Sequence, residues 1–198
     1  MDRNTLDVIR TRRSTRKYRT EPLDERLLED VLEAGRYAPS GGNSQTARFF
    51  CVTDSAVLDR LAEIVTGCFA SMEETPGMYR SKVSSIRQAK TGKYRYDYHA
   101  PALVILLNDE SYSNSMADCA CALENMMVAA NALDLGSCWI NQLHWLTEEP
   151  QLREYLKQLG MKENEQVYGA VTLGYPDTED GLPVRTPLPR TGNEVVRI

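Results

Sequence analysis

The most basic stretch of the chain lies near its N-terminus and reads Arg12-Arg13-Ser14-Thr15-Arg16-Lys17-Tyr18-Arg19. A guanidinium group matches phosphate oxygens with two parallel hydrogen bonds, and a serine hydroxyl adds another donor. If this segment is extended, alternate residues face the same side, so that Arg12, Ser14 and Arg16 lie together. The stretch is therefore a candidate anion site, although a run of charge is more often a solvated surface.

A second candidate is the loop that reads Ala38-Pro39-Ser40-Gly41-Gly42-Asn43-Ser44-Gln45. It consists of small, turn-forming and hydrogen-bonding residues. Glycine lets a backbone approach a ligand closely, so the loop is either an ordinary connection or part of a polar binding site. It lacks the Lys-Ser/Thr ending of a P-loop, and a nucleotide site of that kind is not predicted.

Few side chains are available for metal binding or for nucleophilic catalysis. The chain has two histidines, His99 and His144, and five cysteines without a C-x-x-C pair. A zinc site or a histidine-based triad needs more ligands or bases than these. The odd number of cysteines, four of them in apolar segments, indicates reduced and mostly buried thiols. We therefore predict no metal site and expect a cytoplasmic protein.

One long apolar helix is predicted from Met116 to Leu133, between a possible cap at Asn114 or Ser115 and a stop at Gly136. A helix with so little polar surface belongs in a core or a subunit interface. It carries four polar side chains, which argue against a membrane span: Asp118, Glu124, Asn125 and Asn131. The following segment, Ser137 to Gln142, is predicted to be a short buried strand or extended segment.

Shorter helices and strands alternate along the rest of the chain. We predict helices at 4–11, 25–37, 55–68 and 148–159 and strands at 48–53, 102–107 and 167–173. This order favours an α+β fold with a central sheet and surrounding helices, in one domain of 198 residues. No G-x-G-x-x-G follows a strand, so a Rossmann-type nicotinamide site is not predicted.

Two segments show weaker patterns. Residues 69–98 have no clear periodicity and are predicted to be helical pieces of a mobile cover, or else a plain surface excursion. Residues 176–198 are rich in proline and end in a β-prone run, which suggests an extended arm that adds a strand to a sheet edge, for example that of a partner subunit. The alternative is a frayed tail.

The overall charge restricts the possible partners. Lys and Arg number 23 against 28 Asp and Glu, which gives a net charge of −5. This disfavours a general nucleic-acid or membrane binder, although a local basic patch can still hold one phosphate. The polar N-terminus contains no apolar signal core.

Four of these segments, taken in order, resemble the FMN-dependent nitroreductase family. They are Arg12 to Arg16 with Tyr18, Ala38 to Gln45 with Arg48-Phe49, Glu124-Asn125 leading to Leu135-Gly136-Ser137-Cys138-Trp139-Ile140, and Leu173-Gly174-Tyr175-Pro176 with Arg190 downstream. The resemblance covers nearly the whole chain. It departs from the family at Thr46-Ala47, where Pro-Trp is frequent, so the loop should be less rigid here.

The resemblance implies a single domain over residues 1–198 with a mostly antiparallel sheet, and an intertwined homodimer with two FMN molecules at its interface. The matching flavin contacts are Arg12, Arg13, Ser14 and Arg16 from one subunit, and Pro39, Ser40, Gly41, Asn43 and Gln45 from the other. The segment Trp139-Ile140-Asn141-Gln142 would lie against the flavin ring, with a backbone N–H around Asn141 facing the ring nitrogen that accepts hydride. Arg190 would join the phosphate site.

The implied activity is a ping-pong reduction of nitroaromatic, quinone or related acceptors by NAD(P)H. The flavin carries this chemistry, so no catalytic side chain is required. Arg12, Arg13 and Arg190 would balance the phosphate charge, and Arg16 would stabilise the reduced ring. Lys90 and Lys93 are further candidates for flavin contacts in the cover.

Other functions stay open at this point. The same scaffold could carry ene reduction or reductive dehalogenation, and pocket shape would decide between these activities. It could also be a flavin-binding module for storage or sensing, without physiological turnover. A third possibility is a small globular domain whose basic run binds another phosphate ligand and which contains no flavin.

Overall fold

The computed structural model of the protein describes residues 4–198, so the first three residues of the predicted domain, and the start of the polar N-terminus, lie outside it. Its helices are α1 (Thr5–Thr11), α2 (Glu25–Arg36), α3 (Ser55–Ser71), α4 (Arg80–Ala89), α5 (Ser115–Ala132), α6 (Gln142–Trp145) and α7 (Pro150–Gln158). Its strands are β1 (Arg48–Val52), β2 (Ala102–Asp109), β3 (Gly136–Ile140) and β4 (Glu165–Gly174). A short 3₁₀ turn spans Gly41–Asn43.

The four strands form one antiparallel sheet in the order β1-β2-β4-β3. Strand β2 pairs with β1 in the register Phe50↔Ile105 and with β4 in the register Ile105↔Ala170. Strand β3 pairs with the other side of β4 and forms the opposite edge. The predicted α+β class with a mostly antiparallel sheet is therefore confirmed.

Alternation along β2 separates two cores, because successive side chains of a strand point to opposite faces of its sheet. Leu103 and Ile105 pack into the core that includes residues of α3, α4, α6 and α7. Val104 and Leu106 pack into the other core, with residues of α2 and α5. All four side chains have no exposed surface, so the apolar run is the predicted central strand.

Helix α5 lies against the sheet, and each of the four polar side chains that argued against a membrane span contacts a different segment of the chain. The pairs are Asp118 with Gly41, Glu124 with Arg12, Asn125 with Ala34, and Asn131 with Val8. Since burying an unpaired polar group is costly, these bonds explain how an apolar helix tolerates them. Helix α5 therefore sets where the two candidate segments lie.

The structure differs from the sequence prediction after β3. The predicted extended segment reaches Gln142, but β3 ends at Ile140 and α6 begins at Gln142. Asn141 adopts φ −102° and ψ −7°, which turns the chain. This turn lets Leu143 and Leu146 enter the first core, where neither has any exposed surface.

The variable segment 69–98 contains the end of α3 and the whole of α4, so the predicted helical pieces are present. All five cysteines are free, and three of them, Cys68, Cys119 and Cys138, are buried, as expected for reduced and mostly buried thiols; Cys51 and Cys121 are exposed. No helix between residues 4 and 198 is long and apolar enough to cross a membrane. Within the same residues, no three metal-ligating side chains lie together.

Candidate functional site

The basic run lies beside strand β3. Helix α1 ends at Thr11, and Ser14 then forms an isolated parallel bridge with Ser137 of β3. The backbone N–H of Thr15 donates to the carbonyl of Ser137 at 2.8 Å. A Cβ atom on Gly136 would lie 2.7 Å from the Thr15 side chain, so the glycine allows this close approach. The run is thus extended, as the alternation argument requires.

The cations of the run have different surroundings. Arg12 is 3.6 Å from a carboxylate oxygen of Glu124, and its side chain is 24% exposed. Arg13 donates from Nη1 to the carbonyl of Thr186 at 2.8 Å. The guanidinium carbon of Arg16 lies 5.9 Å from the centroid of the Tyr98 ring, within range of a cation–π contact. Ser14 and Arg16 are exposed and available to a ligand.

A buried thiol lies next to the run. Burial raises the pKa of the Cys138 thiol, while Arg16 and a hydrogen bond with Ser14 partly oppose this shift. The raised pKa keeps the thiol protonated near neutral pH. Because a thiol is a poor nucleophile without its thiolate form, Cys138 contributes packing beside Arg16 rather than covalent chemistry.

The second candidate, the loop from Pro39 to Gln45, has an unusual backbone. Gly42, Asn43 and Gln45 have φ values of 59°, 57° and 50°. Positive φ is uncommon for residues other than glycine, and it persists only where the surroundings fix it. Inside the loop, the Gln45 N–H donates to Ser40 Oγ at 3.1 Å, and Gln45 Nε2 donates to Asn43 Oδ1 at 3.0 Å.

Asp118 of α5 anchors this loop. Its Oδ1 accepts from the Gly41 N–H at 3.0 Å, and its Oδ2 accepts from Ser44 Oγ at 3.3 Å. The Tyr112 hydroxyl donates to the Gly41 carbonyl at 3.1 Å. A Cβ on Gly41 would collide with Asn114 and Tyr112. A cavity of about 180 Å³ adjoins the loop and is lined in part by Ser40, Gln45 and Phe49.

The segment at the end of β3 carries the third candidate. Ile140 is buried, and Trp139 donates from Nε1 to Asn141 Oδ1 at 2.9 Å. The backbone N–H of Asn141 donates to Oε1 of Gln142 at 3.1 Å. Gln142 Nε2 in turn donates to the Tyr94 hydroxyl at 3.0 Å, which ties this segment to the cover.

The remaining candidates lie elsewhere. Lys90 pairs with Glu73 at 3.2 Å, and Lys93 is exposed. Arg190 is exposed in the C-terminal arm, which has no helix or strand within the chain. The arm is held further upstream, where Arg185 Nε donates to Asn131 Oδ1 at 3.2 Å.

Within one chain, the loop and the basic run are not brought together. The loop is anchored at Asp118, whereas Arg12 of the run lies 3.6 Å from Glu124, further along the same helix. These two positions on α5 are about 9 Å apart along the helix axis, at the helical rise of about 1.5 Å per residue. Among residues 4–198, no hydrogen bond or ion pair joins the two segments.

Sequence reasoning missed several residues that hold these segments in place. They are Tyr94, Tyr112, Asp118 and Arg185. Only Asp118 gave a usable signal, since a carboxylate in an apolar helix needs a partner.

The family model described as "Nitroreductase family" matches residues 9–175. The chain belongs to the nitroreductase family. A nitroreductase structure with bound FMN from Bacteroides fragilis is 36% identical, with a TM-score of 0.86 and complete coverage of both chains. A relative from Archaeoglobus fulgidus, provisionally named an NADH dehydrogenase/NAD(P)H nitroreductase, is 30% identical over 88% of this chain and 86% of its own length. The nitrobenzene nitroreductase of Ectopseudomonas oleovorans is 25% identical, over 86% of each chain.

Membership of the nitroreductase family agrees with the resemblance read from the sequence. The matched range contains the basic run, the loop and the end of β3, but it stops before Arg190. The first three segments are therefore the ones on which a functional argument for this nitroreductase can rest.

Proposed function

We propose that two copies of this chain form a homodimer that binds FMN at the subunit interface and uses NAD(P)H to reduce nitroaromatic, quinone or related acceptors. As a member of its family the protein is an oxidoreductase, and FMN is its cofactor. The observation that carries the proposal is the position of the basic run, which lies along β3 just before the Asn141 N–H.

The residues present fit a flavin mononucleotide. Its phosphate needs fixed cations and hydroxyl donors, and Arg12, Arg13 and Ser14 supply these in a protein whose net charge is −5. The 3.6 Å separation of Arg12 from Glu124 is long for a hydrogen-bonded ion pair, so this guanidinium keeps donors for a ligand. The exposed amides of Asn43 and Gln45 fit a polar ring edge.

Each segment has its own task in this proposal. Arg12, Arg13 and Ser14 bind the phosphate, and Arg190 of the arm joins them. Arg16, held beside Tyr98, stabilises negative charge on the ring. When bound, FMN would supply the redox chemistry between NAD(P)H and the acceptor, which we propose to follow a ping-pong order.

The second copy of the chain supplies the loop. Its residues in this proposal are Pro39, Ser40, Gly41, Asn43 and Gln45. Within one chain the loop is anchored at Asp118 and the run contacts Glu124, and no hydrogen bond or ion pair among the described residues joins the two segments, which supports a ligand site shared between two chains. At the end of β3, Trp139, Ile140 and Asn141 would face the ring. Exposed apolar residues on α1, Leu6 at 56% and Ile9 at 49%, support an interface there.

Three finer features belong to the same proposal. The domain comprises residues 1–198, with 69–98 as the cover of the acceptor site and 176–198 as an arm that reaches the partner subunit. The relative named nitrobenzene nitroreductase supports nitroaromatic acceptors. The cytoplasm remains the proposed location, and the free thiols are compatible with it.

The test starts from the visible absorption spectrum of the purified protein and of the filtrate after heat release. We expect flavin bands that move to the filtrate, close to one FMN per chain. NADH or NADPH should then bleach the bound flavin, and an added nitroaromatic or quinone should restore its colour. A protein that binds FMN but is not reduced by either nucleotide would support a storage or sensing module instead. A colourless protein that takes up no added FMN would overturn the proposal.

A further inference from the structure

The backbone N–H of Asn141, which the proposed function assigns to the flavin ring, already has a partner within the chain. It donates to Oε1 of the adjacent Gln142 at 3.1 Å. Both residues are partly buried, so water does not freely replace this partner. An N–H left unpaired in such a place would be costly, and Gln142 removes that cost.

A chain of hydrogen bonds links the Gln142 amide to helix α4. Ser85 is 3% exposed, and its Oγ lies 3.2 Å from the Ser81 carbonyl, within hydrogen-bond distance. Its Oγ also lies 2.7 Å from the Tyr94 hydroxyl, in a hydrogen bond to which either oxygen can be the donor. The Tyr94 oxygen then accepts from Gln142 Nε2 at 3.0 Å.

The reversed amide is disfavoured at the Asn141 end. It would place Nε2 against the Asn141 N–H, where two donors meet. Tyr94, whose ring packs edge-on against Phe69 at 6.1 Å, then accepts from Nε2 at the other end of the amide. The bond to Tyr94 thus holds the Gln142 amide in place with Oε1 facing the Asn141 N–H.

We propose that Gln142 is a positioning residue that occupies the Asn141 N–H in the flavin-free protein and releases it to the ring when FMN binds. This inference rests on the proposed function, because it needs the ring to lie against the end of β3. It follows that Gln142 competes with FMN for one donor. Gln142 therefore stabilises the flavin-free protein and lowers its affinity for FMN.

The test replaces Gln142 with leucine, which has a similar size and no acceptor. We expect Gln142→Leu to bind FMN about three- to tenfold more tightly in a fluorescence titration, and to unfold at lower urea concentration when flavin-free. The Asn141 amide hydrogen should also exchange faster with solvent in this flavin-free variant, a change that does not depend on activity. Gln158→Leu is the matched control, because Gln158 is an exposed glutamine that bonds only to Glu154 on α7.

A second variant keeps the inference testable if Gln142→Leu does not fold. Tyr94→Phe removes the acceptor of Gln142 Nε2 and the bond to Ser85, so it should tighten FMN binding in the same direction but less. Unchanged or weaker binding in the variants, with normal binding by the wild type, would overturn the role of Gln142 alone. A wild-type protein that fails to bind FMN would overturn both this role and the proposed function.

Discussion

At the scale of single residues, Arg12 has the most sharply defined surroundings among the candidate cations. It follows the last residue of α1 and is mostly buried, yet its nearest carboxylate is 3.6 Å away. We expect Arg12→Ala to weaken FMN binding by about 1.5–3 kcal/mol, the usual value of a charge-assisted hydrogen bond. Equilibrium flavin titration measures this as a roughly ten- to hundredfold higher dissociation constant.

The matched control for Arg12 is Arg10→Ala. Arg10 lies on the same helix with an exposed side chain, and its ion pair with Asp7 is 3.9 Å long. Exposed pairs of this kind contribute little, so the control should bind FMN like the wild type. If both variants lose the same FMN affinity, the effect comes from the change in net charge and not from a contact between Arg12 and the phosphate.

Asp118 allows a second prediction at the residue scale. Asp118→Ala removes both acceptors of the loop and leaves the Gly41 N–H unpaired, which should lower the free energy of unfolding by about 1–3 kcal/mol. Asp118→Asn keeps one acceptor oxygen for Gly41 and should cost less. Urea unfolding of the flavin-free variants measures the difference. If the two variants lose the same stability, the carboxylate does not anchor the loop through these bonds.

At the scale of secondary-structure elements, the contact between β3 and the basic run depends on one glycine. A Cβ at Gly136 would come within 2.7 Å of Thr15, so Gly136→Ala should push the run away from β3. Because the run presents Arg12, Ser14 and Arg16, we expect at least a tenfold loss of FMN affinity, with a smaller change in unfolding free energy. Titration and urea unfolding of the same sample separate the two effects.

Gly67→Ala serves as the control for that substitution. Gly67 lies within α3, and a Cβ there would meet no atom within 4 Å. Alanine favours a helix over glycine, so this variant should be slightly more stable and should bind FMN normally. If Gly136→Ala also binds FMN with the affinity of the wild type, the position of the run does not control the binding of FMN.

The elements with strong local patterns were predictable from the sequence, and those set by distant contacts were not. The continuous apolar run in β2 and the alanine-rich α5 carry their own signals in hydrophobicity and in their end residues. The turn at Asn141 has no glycine or proline, and it arises because Leu143 must reach the core. The loop residues were predicted from turn chemistry, whereas their anchor, Asp118, lies far along the chain.

At the scale of the whole molecule, the candidate site is divided between separate places in one chain. The basic run lies beside β3 and contacts the middle of α5 through Arg12 and Glu124, and the loop is fixed near the start of α5 at Asp118. A cavity of about 750 Å³ between α2 and β1 is lined by residues such as Glu29, Cys51 and Arg95, none of which was predicted for the site. Residues 12–16 line neither this cavity nor the one beside the loop, which is consistent with the proposal that a second copy completes the site.

The C-terminal arm provides the prediction for the dimer. Its last residues include Val195, Val196 and Ile198, whose side chains are among the most exposed apolar groups of the chain, at 80%, 71% and 121%. Exposed β-prone residues of this kind favour addition to a sheet edge, and β1 forms one edge of the sheet. We expect a chain that ends at Gly181 to form a weaker dimer, which dissociates into monomers at a higher protein concentration than the full chain does.

A chain that ends at Arg190 separates the contributions of the arm. It keeps the contacts of Arg185 with Asn131 and the candidate Arg190 itself, but it lacks the β-prone end. If strand addition holds the partner, this shorter deletion should already raise the dimer dissociation constant, while FMN affinity at saturating dimer concentration stays normal. Sedimentation velocity over a dilution series measures the dimer dissociation constant of both truncated chains. A dissociation constant that is unchanged in both would remove the arm from the interface, and the exposed faces of α1 and α5 would then have to hold the dimer alone.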